Sequence, residues 1–214
     1  MKIVITGSSS GIGKAIALKF LGEGHEVVGI DVLPATVTHG NYTHIVGDVC
    51  GELPKIDGVE ILVNNAGVQN SGRDIDVNLK GAIAVTEKYA IQSAIKSVVF
   101  IASASAETGS EFPEYAASKG GMVSYMKNVA LRIAKFGATS NSLSPVGVLS
   151  TLNQQVIDDP ELWRQVMYET PLKKWATAEE IAEWTYFVAV INKSMTAQNI
   201  LIDNGEAARA NFVW

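Results

Sequence analysis

The chain has 214 residues, a formal net charge of −5 and an apolar fraction of 47%. That length suits one large domain with a substantial core, and the acidic balance speaks against a general nucleic-acid binder, which needs a basic face. The single cysteine, Cys50, excludes an internal disulfide framework and fits a reducing compartment, with a small apolar filler as its expected role. No apolar stretch approaches the roughly 18 residues of a membrane span. The opening MKIVIT is too short for the apolar region of a signal peptide. A cytoplasmic protein without membrane contact is expected.

In chain order, KIVIT (2–6) reads as a buried β-branched strand. GKAIALKFLGEG (13–24) follows with apolar Ile16, Phe20 and Leu21 at helical spacing, stopped by Gly22 and Gly24. Strands are predicted over 25–31, 42–49 and 59–67, then a long helix over 74–95 and a fifth strand over 97–105. A second long helix is predicted over 115–137 and a weaker strand over 138–145. A helix over 177–191 is capped by Thr177, with Glu180 completing a capping box, and a last strand covers 198–205. Strands alternating with helices imply an α/β fold, a doubly wound parallel sheet covered on both faces. No linker or repeat divides the chain, so residues 1–214 read as one domain. The connections after Asp31 and Val49 are too short for full crossover helices, so that sheet edge should be thinly covered.

Three glycines, Gly7, Gly11 and Gly13, sit in VITGSSSGIGKAIA (4–17), between the first strand and the first helix. The spacing is G-x-x-x-G-x-G. Such a turn brings backbone N–H groups close to a pyrophosphate at a helix N-terminus, where the dipole favours negative charge. The next strand ends at Asp31, near the distance at which a carboxylate meets an adenosine ribose. A carboxylate accepts from ribose hydroxyls and repels a 2′-phosphate, and the loop's one base is Lys14, inside the helix. NAD is favoured over NADP.

YAASK places Tyr115 and Lys119 at i and i+4, on one helix face. An ammonium about 4 Å from a phenol, at an effective dielectric near 20, favours phenolate by up to roughly 4 kcal/mol. That would bring a tyrosine from its usual pKa near 10 toward neutrality, where a general acid/base works best. Ser103, twelve residues earlier, offers a hydroxyl to a carbonyl oxygen. His25, His39 and His44 show no metal-ligand spacing.

TGSSSGIG (6–13), NNAG (64–67), DVNLKG (76–81), Ser103 and YAASKGG (115–121), in this order, resemble the short-chain dehydrogenase/reductase family. The resemblance runs from residue 2 to about 205 and is nearest to small bacterial members of the 3-oxoacyl-carrier-protein reductase kind. It implies a catalytic tetrad. Tyr115 would move the proton, Lys119 would lower its pKa and hold the nicotinamide ribose, Ser103 would orient the substrate oxygen, and Asn78 would support a relay water. It further implies cofactor contacts from Gly7, Ser9, Ser10, Gly11, Ile12 and Gly13, and from Tyr115 and Lys119 themselves. Asp48 and Val49 would meet adenine, and Asn64, Asn65, Ala66 and Gly67 would line the middle of the cofactor. Pro145, Gly147, Val148 and Ser150 would surround the nicotinamide amide.

Four features depart from the family pattern. Val146 stands where a glycine usually follows the proline, Ser150 replaces a threonine, the Gly67–Asn78 interval is about half its usual length, and the Ser103–Tyr115 interval is one residue short. One wall of the active site is therefore missing or supplied by another segment. Trp163, Trp175 and Trp184 fall in or near a segment (152–176) expected to form a substrate lid.

The reading is an NAD(H)-dependent oxidoreductase interconverting a secondary alcohol and a ketone. An NADP(H)-dependent carbonyl or 3-oxoacyl thioester reductase is the alternative, and a non-catalytic nucleotide-sensing regulator is one of another class. The partners expected are a small-molecule substrate and further copies of the chain, as a homodimer or homotetramer. Small and apolar positions on the two long helices (Ala82, Ala84, Ala90, Ala94, Ala116, Ala117, Gly120, Gly121, Met122 and Met126) and the apolar tail at Phe212–Trp214 suggest this assembly.

Overall fold

The computed structural model describes residues 1–110 and 112–208. β1 (Lys2–Thr6) leads into α1 (Gly11–Gly22), then β2 (Glu26–Asp31), β3 (Tyr42–Val46) and β4 (Ile61–Asn64). A π-helical turn (Ile75–Gly81) runs into α2 (Ala82–Tyr89), followed by β5 (Ser97–Ile101), the short α3 (Ser105–Thr108) and α4 (Pro113–Ile133). β6 (Thr139–Pro145), β7 (Val148–Leu149), α5 (Gln154–Ile157), α6 (Pro160–Glu169) and β8 (Ala176–Thr177) come next. α7 (Ala178–Tyr186), which continues as a π turn to Ile191, and β9 (Asn199–Ile202) complete the order.

Seven strands form one parallel sheet, ordered β3-β2-β1-β4-β5-β6-β9. This is the doubly wound α/β fold that the alternating elements imply. The order reverses between β1 and β4, so the carboxyl ends of those strands face a crevice. The side-chain period of two divides the core into two layers. Ile3, Ile5, Val63 and Val99 pack against α1 and α7 through Ile16, Phe20 and Ile181. Val4, Leu62, Val98 and Phe100 pack against α2 and α4 through Val85, Tyr89, Met126 and Val129. Each such side chain, fully buried, contributes about 1.5–3 kcal/mol.

All seven predicted strands are present, most of them shorter than predicted. The helix predicted over 74–95 ends at Tyr89, because Gln92 turns back to donate to the carbonyls of Val59 and Tyr89. Ala94 is therefore not helical. The strand predicted over 97–105 stops at Ile101, and Ser103 lies in the turn beyond it. The strand predicted as weak, β6, is buried at every position, and its polar side chains are paired. Ser142 and Ser144 both donate to Asn199 Oδ1 (2.7 Å each), and Ser140 donates to the Met126 carbonyl. The Thr177–Glu180 capping box forms as read. Cys50 is exposed, not a buried filler: its N–H closes a turn on Asp48, which leaves the thiol outside the core. As expected, no helix forms between β2 and β3 or between β3 and β4, and Val46 is 66% exposed. Among the described residues no helix is long and apolar enough to cross a membrane.

Candidate active site

A cleft of ≈ 620 Å³ runs along the carboxyl ends of the strands. Gly7, Ser10, Gly11 and Ile12 line its middle, Asp31, Asp48 and Val49 one end, and Ser103, Tyr115, Lys119, Pro145, Val148 and Ser150 the other. Asn65, Ala66 and Gly67 also line it.

The glycine turn is held by backbone geometry. Gly7 has φ +69° and Gly11 φ +48°, a region that other residues enter at a cost. A Cβ on Gly13 would stand 1.9 Å from the Gly7 carbonyl oxygen, so α1 can approach the turn only without a side chain there. Thr6 Oγ1 accepts the N–H groups of Asn65 and Ala66 (3.1 Å each), and Asn65 Nδ2 donates to the carbonyls of Thr6 and Gly7. The turns after β1 and β4 are thus one unit. Gly13 and Ser9 support the cleft from behind and do not line it. Asn64 is likewise off the cleft, buried and donating to Thr86.

Asp31 is buried. Its two carboxylate oxygens accept the N–H groups of Ser9 and Leu33 (2.9 Å each). The residue therefore braces the glycine turn in addition to presenting charge to the cleft, a role that its sequence position did not disclose. Four or so lone-pair sites on a carboxylate leave room for further donors. Asp48 accepts from Cys50 N–H (2.9 Å) and from Arg73 Nη2 (3.2 Å). These interactions hold its carboxyl below the usual range, Cys50 more than Arg73, with burial opposing.

At the other end Lys119 is 4% exposed. Its ammonium donates to the Ile101 carbonyl (2.9 Å) and lies 5.6 Å from the Tyr115 ring centroid. Burial lowers its pKa to about 8, with the Asp74 charge opposing. Ser103 Oγ accepts Ser105 N–H (3.2 Å), which leaves its own O–H to donate.

Asn78 sits in the π turn and is fully buried, off the cleft lining. Its side chain accepts Val68 N–H (2.8 Å) and donates to the Val68 carbonyl (2.9 Å) and Ser118 Oγ (3.0 Å). Ser118 in turn donates to the Tyr115 carbonyl. Asn78 is thus a strut joining the turn after β4 to the first turns of α4. A Cβ on Gly67 would lie 3.2 Å from Asn78 Oδ1 and 3.5 Å from Lys119 Nζ, so the small residue keeps the strut and the ammonium close.

Gly147 does not line the cleft. A Cβ there would strike the Trp175 indole at 1.9 Å, so the glycine one place later than usual serves the packing of Trp175. Val146 lines the cleft in its place. Trp163 meets Trp175 edge-on at 5.1 Å, whereas Trp184 lies on α7 against Phe187.

Two residues that sequence reasoning missed belong to the shortened interval after Gly67. Asp74 is 1% exposed and accepts from Asn70 N–H, Ser71 N–H and Ser71 Oγ, winding residues 70–74 into a tight turn. Arg73 lines the cleft beside Asp48. The run of Asn70, Ser71 and Gly72 before a carboxylate was the available signal, since such residues favour turns and helix caps.

A nucleotide-sized cleft, a glycine turn with backbone clearance, and a Ser–Tyr–Lys set at its far end define the class of a dinucleotide-dependent oxidoreductase. The chain belongs to the short-chain dehydrogenase/reductase family: the family model described as enoyl-(acyl carrier protein) reductase matches residues 39–206. Glucose 1-dehydrogenase from Gluconobacter oxydans is 26% identical, over 99% of this chain and 93% of that one. A 4-hydroxyisoleucine dehydrogenase complexed with NADH superposes with TM-score 0.88 at 24% identity, over 98% and 99% of the two chains. A provisionally named 2-deoxy-D-gluconate 3-dehydrogenase from Agrobacterium tumefaciens, with bound NADP, does so with TM-score 0.86 at 24% identity, over 97% and 96%.

Proposed function

We propose that the chain is an NAD(H)-dependent enzyme that interconverts a secondary alcohol and a ketone. What carries the reading is the placement of Ser103, Tyr115 and Lys119 at one end of the cleft whose other end holds Asp31. The cofactor fits the residues present: Gly11 lines the cleft and faces open space, so a phosphate can come close to the backbone there, and Gly7, Gly11 and Gly13 cannot be replaced without strain or clash, or both. When bound, nicotinamide supplies hydride chemistry at its C4. Ser103 would donate to the substrate oxygen and Tyr115 would give that oxygen its proton in reduction, or take it in oxidation. The Lys119 ammonium would favour the phenolate and hold the ribose, and Asn78 would keep α4 in register with the turn after β4. A regulator without turnover would have no use for this proton machinery. NADH oxidation against ketones, 3-oxoacyl thioesters, sugars and steroids tests the reading, and its failure across the panel favours the regulator. The three relatives are named for oxidising hydroxylated small molecules, which supports the alcohol–ketone class.

NAD(H) should bind more tightly than NADP(H). Asp31 repels a 2′-phosphate. The cations lining the cleft among the described residues are Lys119, at the far end, and Arg73, already paired with Asp48. Equal dissociation constants for the two cofactors, by titration, would sink this preference. Since Asp31 also braces the turn, Asp31→Ala should weaken both cofactors; Asp31→Asn keeps an acceptor and should narrow the gap between them with less loss of stability.

We further read residues 152–176 as a substrate lid, with Leu152 lining the cleft and the Trp163–Trp175 pair at its base. The lone thiol and the absence of a disulfide partner fit the cytoplasm. A homodimer or homotetramer is expected, on narrower grounds than composition suggested. Met122, Met126, Ala82 and Ala90 are buried in the chain's own core, and Gly121 makes room for Leu79. What remains outward among the small and apolar positions on α2 and α4 is Ala84, Ala117 and Leu131, the last 78% exposed, with Ala116 and Gly120 half-buried. The tail at Phe212–Trp214 lies outside the described residues. Light scattering of active protein decides: a mass near 22.8 kDa refutes the oligomer.

A further inference from the structure

The cation nearest the Asp31 end of the cleft sits on a segment for which the nucleotide reading has no use. The turn after Gly67 is wound tightly: the buried Asp74 carboxylate holds the N–H groups of Asn70 and Ser71, and Asn70 and Gly72 both have positive φ. Arg73 N–H donates to Ser71 Oγ (3.1 Å), and the Arg73 carbonyl accepts Val77 N–H as the π turn begins. The backbone of Arg73 is thus fixed on both sides, and its side chain reaches out to Asp48. Both residues line the cleft, and Nη2 stands 3.2 Å from Asp48 Oδ2. With side chains 56% and 39% exposed, this pair contributes little to the stability of the fold. A cleft-lining arginine on a rigid turn, with an in-plane donor held by Asp48 and the side chain still largely exposed, is suited to a ligand more than to the fold.

We infer that Arg73 is a cofactor-affinity residue whose planar guanidinium, tethered to Asp48, forms the outer wall of the adenosine end of the cleft. The inference deepens the NAD(H) reading and rests on it. The end is assigned by its neighbours: Asp48 is two residues beyond β3, whose last residue, Val46, pairs with Asp31, while the Tyr115–Lys119 pair lines the opposite end. The wall's chemistry fits a purine. A guanidinium stacks on an aromatic face and still donates in its own plane, here to Asp48, which a lysine's point charge cannot reproduce. The halved interval makes this possible, because the tight turn brings Arg73 directly to Asp48.

The test separates the two halves of the cofactor and needs no turnover. Dissociation constants of AMP, reduced nicotinamide mononucleotide and NADH are measured by titration for the unmutated chain, Arg73→Ala and Arg73→Lys. The expected result is a roughly 3- to 10-fold weaker AMP and NADH affinity in Arg73→Ala, the size of an exposed to partly desolvated cation–π contact. Reduced mononucleotide affinity should be unchanged, and Arg73→Lys should recover less than half of the loss. AMP affinity unchanged in Arg73→Ala, equal loss of AMP and mononucleotide, or full recovery by lysine each overturns the wall. An unmutated chain that binds neither AMP nor NADH overturns the nucleotide reading beneath it, a different and recognisable failure.

Discussion

Tyr115→Phe is expected to abolish turnover while leaving NADH affinity nearly unchanged. The ring and the helix persist, the contact between the Lys119 ammonium and the ring face persists, and the hydroxyl that carries the transferable proton is lost. General acid–base catalysis is typically worth about 10²- to 10⁴-fold. A Tyr115→Phe enzyme that keeps more than about a tenth of kcat would therefore assign the proton to another group. Lys119→Ala should weaken both turnover and binding, because that side chain is expected to serve the phenol and the ribose together. The same lysine sets an expected pH dependence. Burial holds its pKa near 8, so the ammonium predominates below that value and is lost as pH rises through it. Carbonyl reduction by the unmutated enzyme should fall on the alkaline side of about 8, where the ammonium and the phenol proton it supports are both lost, and a flat profile to pH 9.5 would overturn this pair as the proton machinery.

Gly13→Ala should cost NADH affinity roughly 5- to 150-fold, the size of the about 1–3 kcal/mol of overpacking that the turn must relieve to keep its shape. The added Cβ would stand 1.9 Å from the Gly7 carbonyl oxygen and 2.4 Å from Asn65 Nδ2. The first is backbone, so no rotamer change relieves it. α1 must move away from the turn, or the turn must open and break the Asn65 hydrogen bonds that join it to β4. Overpacking of this kind costs about 1–3 kcal/mol, so the melting temperature should fall as well. Gly22→Ala is the matched control. It is in the same helix, meets nothing within 4 Å, and should be neutral or stabilise by a few tenths to about 1 kcal/mol. Comparable NADH affinity in the two variants would mean that the turn does not hold the pyrophosphate.

Much of the fold was written locally. The β-branched runs at 2–6 and 97–101, the stop at Gly24 and the Thr177–Glu180 box depend on short-range sterics and hydrogen bonding. The glycine turn belongs to the same class, since its φ values and clearances admit almost no other residue. The i, i+4 spacing was enough to put Tyr115 and Lys119 on one face, and the order of the motifs was enough to assign the family.

What the sequence left open was settled by contacts between distant segments. Asp31 looked like a strand-end charge and proved also to be a brace, because Ser9 and Leu33 bring their N–H groups to it only once the sheet has formed. The resemblance read Asn78 as a relay residue, and the structure adds a strut role, its side chain bonding Val68 and Ser118, ten and forty residues away. Helix 74–95 was overextended because its apolar spacing continues past Tyr89, where Gln92 reaches across to Val59 and ends it. Met122 and Met126 were assigned outward from composition, but the rotation of α4 against the sheet turns them inward. Arg73 met Asp48 because Asp74 winds the shortened interval into a turn; the run from Asn70 to Gly72 signals a turn, but that the turn delivers Arg73 to Asp48 depends on the packed structure. Local sterics and periodicity are properties of neighbours in the chain. Which polar atoms find one another across the cleft depends on how the layers close, and that is decided by the packed structure alone.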